Sequence, residues 1–113
     1  MSTNPLDDSA TGTLDGAGAA TVRIGPRRPG QTWTVTGSAI ICSAQTPMPR
    51  AYLYRGPVVP GNVLATTYTG AQNSTDLPNI KLRHGEFLSA VWLAGLAGAT
   101  VTVSVVGTVE TVR

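Results

Sequence analysis

Charge, cysteine and histidine are all scarce in this sequence, and each shortage removes a class of function. Asp, Glu, Lys and Arg make up 12% of the 113 residues, about half the usual share. Eight basic and six acidic residues leave a net charge of +2. Aromatic residues are also sparse, so no nucleic-acid partner is expected. The one cysteine, Cys42, excludes an intrachain disulfide. It follows Ile41 in an apolar run and is expected to be a small buried hydrophobe, whereas a catalytic thiol needs an electropositive, partly exposed setting and a histidine partner. The one histidine, His84, precedes Gly85 and reads as an exposed turn residue. Metal sites need several His, Cys or carboxylate ligands together, and the acids here are too few and too scattered. No metal or cofactor is expected.

Other chemistry is missing as well. A glycosidase pair would have to come from Asp76, Glu86 and Glu110, and nothing around them argues for that role. Neither GxxxxGK[ST] nor a strand-linked GxGxxG is present. The sequence therefore gives no sign of an enzyme. No stretch reaches the ~18–20 apolar residues that span a bilayer. The most apolar one, Phe87 to Val106, is broken by Gly95, Gly98, Thr100, Thr102 and Ser104. No membrane partner is expected. Asp7 and Asp8 stand where a secretory leader carries Lys or Arg, and no apolar core follows them. Synthesis in the cytoplasm without export is the corresponding expectation.

What the sequence does have is Thr, Val, Ala, Gly and Pro. Thr and Val suit a pleated, half-buried surface, and Gly and Pro mark turns. Residues 1–18 are polar and carry Asp7, Asp8 and Asp15 with no basic residue. They read as an extended acidic arm ahead of a domain over residues 19–113. Such an arm either docks on a basic face, its own or a neighbour's, or stays solvated. The domain is expected to fold without it.

From Ala19 onward period-two alternation dominates. Ala20, Val22 and Ile24 alternate with Thr21 and Arg23. Trp33, Val35, Gly37, Ala39 and Ile41 share one predicted face of a long strand, with Thr32, Thr34, Thr36 and Ser38 on the other. Ala51–Arg55 and Leu64–Thr69 are further strands. Thr46-Pro47-Met48-Pro49 reads as a turn, and Gly70–Asn79 as a polar loop. Glu86–Ala94 looks buried on both faces. Thr100–Glu110 has Val101, Val103, Val105 and Val109 opposing Thr100, Thr102, Ser104 and Thr108. About seven or eight closely spaced strands predict an all-β fold: a single antiparallel β-sandwich or jelly-roll-like barrel. Trp33 and Trp92 read as core anchors, the alternative being a tryptophan at a subunit contact.

Several segments together resemble a family. These are Val22-Arg23-Ile24-Gly25-Pro26, Trp33-Thr34-Val35, Ala51-Tyr52-Leu53-Tyr54-Arg55-Gly56, Thr67-Tyr68-Thr69-Gly70 with Asp76 beyond, Gly85-Glu86-Phe87-Leu88-Ser89-Ala90-Val91-Trp92, and the closing stretch from Gly98 to Gly107. They resemble small β-proteins encoded among the virion genes of tailed phages of actinobacteria. The resemblance spans about residues 19–107 and leaves out the acidic arm. It implies a virion structural protein, either a capsid decoration (cement) protein or a minor tail or fibre component. The implied partners are the major capsid protein and further copies of this chain. No catalytic residue carries over, and Gly56, Gly70, Gly85 and Gly107 become turn or positive-φ positions. The expected subunit contacts are Asp7, Asp8 and Asp15 on the arm and Arg23, Arg27 and Arg28 on the domain. A carbohydrate-binding module is the rival from another class, and it requires Trp92, Tyr52 or Tyr54 as an exposed stacking platform.

Overall fold

A long antiparallel hairpin, rolled on itself, accounts for every strand. The computed structural model describes residues 2–44, 49–67 and 72–111. Its strands are β1 (Ser2–Thr13), β2 (Ala20–Ile24), β3 (Gln31–Cys42), β4 (Arg50–Arg55), β5 (Val63–Thr67), β6 (Gln72–Arg83), β7 (Leu88–Leu93) and β8 (Thr100–Thr111), with a short 3-10 turn at Pro60–Asn62. The pairing is nested: β4 with β5, β3 with β6, β2 with β7, β1 with β8, all antiparallel. Rolling this ribbon brings β8 beside β3 and β7 beside β4. Two four-stranded sheets result, ordered β1-β8-β3-β6 and β2-β7-β4-β5. This is the eight-strand jelly roll. Four strands of 12 residues at about 3.3 Å per residue set the 46 Å long axis.

The core lies between the sheets. On β8, Val101, Val103 and Val105 have no exposed surface, while Thr102 and Ser104 between them face outward. On β7, Leu88, Ala90 and Trp92 point inward and are at most 1% exposed. Ser89 and Val91, on the outer side of the same strand, are also buried, so β7 is covered on both faces as its sequence suggested. The buried Ser89 hydroxyl donates to the Gly56 carbonyl at 2.7 Å, which removes the cost of desolvating it. Trp33, Trp92 and Cys42 are all core residues.

Three sequence expectations change. First, the arm is extended, but residues 2–13 are a strand of this sheet rather than a segment apart from the domain. β1 pairs with β8 of its own chain along its whole length, and Leu6 and Leu14 enter the core. Its inward positions are Leu6, Asp8, Ala10 and Gly12. Only one of these is a large hydrophobe, so no alternation was visible.

Second, the face of β3 switches midway. Trp33 and Val35 point inward, a bulge follows between Val35 and Gly37, and from there Ser38, Ile40 and Cys42 point inward instead. One extra residue in a strand reverses every side chain beyond it. The predicted face of Gly37, Ala39 and Ile41 is thus the outer one, and Ile41 is 51% exposed. Opposite the bulge lies Gly107, paired with Val35 at φ 156°. A Cβ built on Gly107 would overlap the Thr34 carbonyl.

Third, the polar stretch expected as a loop over 70–79 is mostly strand. Gln72–Asp76 pair with β3 despite their polarity, because they lie on a sheet edge. Leu77 is buried there. Of the turn expected at Thr46–Pro49, residues 46–48 lie outside the described residues, as do residues 68–71, which end the expected Leu64–Thr69 strand and begin the expected loop. Gly56 and Gly85 adopt positive φ as expected.

Two outcomes follow for stability. Deleting residues 2–13 removes Leu6 and uncovers the β8 edge. The loss should be about 3 kcal/mol or more, a large part of the ~5–15 kcal/mol that holds a domain. Urea denaturation of the truncated chain should show it melting far earlier or aggregating, and an unchanged midpoint would restore the separate arm. Gly107→Ala should cost about 2 kcal/mol or more in the same assay, whereas Gly61→Ala, where an added Cβ meets nothing, should change little.

Candidate functional site

Of the expected contact residues, Asp7, Asp8, Arg27 and Arg28 line one open cleft of about 310 Å³ with Gln31 and Trp33, whereas Asp15 and Arg23 are not part of its lining and have contacts elsewhere. Asp15 builds the β1–β2 turn: its carboxylate accepts the Ala17 and Ala19 amides at 2.8 and 3.1 Å. This is the local side-chain-to-backbone bonding for which Asp is favoured in turns. The Asp8 carboxylate accepts the Ser9 amide at 2.8 Å and stands 4.0 Å from the Arg27 guanidinium. The acidic strand therefore meets the basic β2–β3 loop of its own chain. Arg27 is 68% exposed, so the pair contributes at most ~1 kcal/mol. Arg23 lies over the Phe87 ring, 4.6 Å from its centroid, a cation–π contact. Asp7 and Arg28 are exposed.

The rolled topology gathers charge at one end. The β2–β3 loop, the Pro60–Asn62 segment and the β6–β7 turn all lie there. So do Arg23, Arg27, Arg28, Arg55, Lys81, Arg83 and the exposed His84. Among the described basic residues only Arg50, paired with Leu93, lies toward the opposite end. Among the described residues, the loop segments 16–19 and 94–99 lie at that opposite end and carry no charge, with Leu96 exposed.

Arg55, Lys81 and Arg83 line an open cleft of about 340 Å³ with Thr32 and Glu86. The Arg55 guanidinium donates to the Lys81 carbonyl at 2.9 Å, which ties β4 of one sheet to β6 of the other. The Glu86 carboxylate accepts the Arg83 amide at 2.7 Å and so closes the β6–β7 turn. A second cleft of about 530 Å³ shares Arg55 and Glu86 and adds Pro57, Val63, Leu64, Leu82 and Phe87. The sequence concealed this grouping, since Arg55 and Lys81 are distant in the chain and belong to different sheets.

The outer face of the long sheet has a different character. Aligned rows across β1, β8 and β3 read Thr11–Thr102–Ile41 and Ser9–Ser104–Ala39. Thr11 and Thr102 bring their hydroxyls to 3.4 Å. No charge falls in these rows, and Asp7 first appears in the row of Val106 and Gly37. The exposed edge of β1 is guarded. The Leu14 amide donates to the Ala99 carbonyl, in continuation of the β1–β8 register, so even-numbered amides of β1 turn toward β8 and odd-numbered ones toward the open edge. Pro5 has no amide to offer there, and that of Ser9 is taken by Asp8. Such devices discourage edge-to-edge pairing.

Among the described residues, no three His, Cys, Asp or Glu side chains approach closely enough to hold a metal. Among the same residues, no helix is long and apolar enough to cross a membrane. Trp92 has no exposed surface, which removes it as a stacking platform. Tyr52 and Tyr54 are half-buried, with rings 6.5 Å apart and inclined at 36°, so the two do not form one flat shelf. No family model matches the chain, and no curated protein matches it.

Both tryptophans should resist acrylamide quenching in the folded protein and become quenchable on denaturation. Quenching of the native protein at the rate of a free tryptophan derivative would contradict their placement.

Proposed function

We propose that this chain is a structural protein of a phage virion, a capsid decoration protein that binds the outer shell as a homo-oligomer and stabilises it. One observation carries the reading: the charge-free outer rows of the long sheet, formed by Ser9, Thr11, Ala39, Ile41, Thr102 and Ser104. Removing charge from water on packing is costly, and this face avoids that cost. Interface centres are depleted of charged residues in the same way. The jelly roll supports the reading as a frequent architecture of capsid proteins, although a fold alone does not assign a function. The resemblance of residues 19–107 to phage virion proteins points the same way.

The mechanism is mass action. A protein that binds only the assembled shell stabilises that shell by the free energy of binding. Many copies linked into oligomers multiply a modest affinity per site. No bond is made or broken, and no cofactor takes part. The low charge of the surface suits a protein largely covered by its neighbours.

The test is a quantitative protein stain of purified particles from cells in which this gene is expressed with its phage. Hundreds of copies per particle are expected. A few to a dozen copies would move the protein to the tail or its fibres, and none in any particle would refute a virion role.

A further inference from the structure

We infer that the cleft formed by Arg55, Lys81 and Arg83 is a docking site for a carboxylate-bearing segment of a partner protein, with an apolar side chain of that segment seated in the adjoining cleft. The inference rests on the proposed assembly role and supplies its recognition chemistry. Three cations and one carboxylate line the first cleft, an excess of two positive charges. That carboxylate, Glu86, is already engaged by the Arg83 amide. Arg55 is held in place by its bond to the Lys81 carbonyl, so its guanidinium is partly ordered before a ligand arrives. Arginine forks match carboxylates in geometry and charge.

The second cleft decides what accompanies the acid. It shares Arg55 and Glu86 with the first and presents Val63, Leu64, Leu82 and Phe87. An acidic residue and an apolar one close together in an extended segment would fill both. A free inorganic anion would leave the apolar half empty.

The chain's own acids are poorly placed to be the occupant. Asp8 faces Arg27 and Asp15 caps a turn. Glu110 shares a row with Thr32 and Arg83, its backbone about 10 Å from that of Arg83, and among the described residues the two form no ion pair; Asp7 lies with Arg27 and Arg28 in another cleft. No acid of the protomer fills the cleft, so the carboxylate comes from outside it; it is assigned to a partner protein, a second copy being an outcome of the test.

The experiment uses the full chain, isotope-labelled for NMR, in low salt. The probe is the capped peptide acetyl-Glu-Leu-Glu-amide, compared with its Gln-Leu-Gln counterpart and with inorganic phosphate. Saturable shifts at Thr32, Arg55, Lys81, Arg83 and Glu86 are expected with the acidic peptide. Binding of the Gln peptide should be weaker by about tenfold or more, as for loss of a charge-assisted contact. The double variant Lys81→Gln, Arg83→Gln changes only exposed side chains; it should keep the wild-type melting midpoint and lose peptide binding. Arg27→Gln with Arg28→Gln should leave binding unchanged.

Equal binding of the two peptides, or an unaffected double variant, would overturn the site. Saturation by phosphate at lower concentration than by the peptide would overturn the carboxylate assignment. Concentration-dependent dimerisation abolished by the double variant would make a second copy the occupant and overturn the choice of partner. Peptide binding by a protein absent from particles would sink the virion reading and leave the site intact. Particle attachment without peptide binding would do the reverse.

Discussion

Everything in this molecule depends on β8 being a central strand. It is paired on one side by β1 and on the other by β3, and its inward valines, Val101, Val103 and Val105, are wholly shielded. Each neighbour is needed to satisfy one side of its backbone, because a buried, unpaired amide or carbonyl is costly. The nested pairing follows once the two ends of the chain are joined in this way. If β1 and β8 lie together, β2 and β7 can meet, then β3 and β6, and the remaining segment closes as the β4–β5 hairpin.

The same constraint shapes the surface. Rolling the ribbon brings distant parts of the chain to a common end, so that residues unremarkable in sequence become neighbours. Arg55 comes from one sheet and Lys81 and Arg83 from the other, and the rolled hairpin places them around one cleft. The acidic strand is brought against Arg27. The charges that remain on the long sheet leave its outer rows of Ser and Thr free. A charged end and a bland flat face are two surfaces suited to different contacts, one selective and one broad.

Much of the fold was legible because period-two alternation is a strong signal when one face is filled by large hydrophobes. β8 could be read residue by residue, and β7 could be recognised as doubly buried from Leu88, Val91 and Trp92, although Phe87 is only half-buried and Leu93 is exposed. The signal failed where its carriers were small. β1 faces the core with Leu6, Asp8, Ala10 and Gly12, a pattern indistinguishable from a polar tail. It failed again at Thr36, where a bulge inverted the faces of Ala39 and Ile41; the one local mark is Gly37 beside it, a glycine inside a strand that also fits an unbroken alternation. The contact residues were harder still. Asp15 and Arg23 have jobs within the chain, and the Arg55–Lys81–Arg83 cleft exists only in three dimensions.

Amide hydrogen exchange across the whole chain tests the central claim most directly, because it reads the pairing of β1 and β8 strand by strand. The amides of β8 should be among the slowest to exchange, opening only with global unfolding. Along β1, the even-numbered amides of Leu6, Asp8, Ala10 and Gly12 should be protected, and those of Asp7, Thr11 and Thr13 should exchange quickly. Uniformly fast exchange from Ser2 to Thr13, with β8 no better protected than an edge strand, would contradict the rolled hairpin and everything built on it.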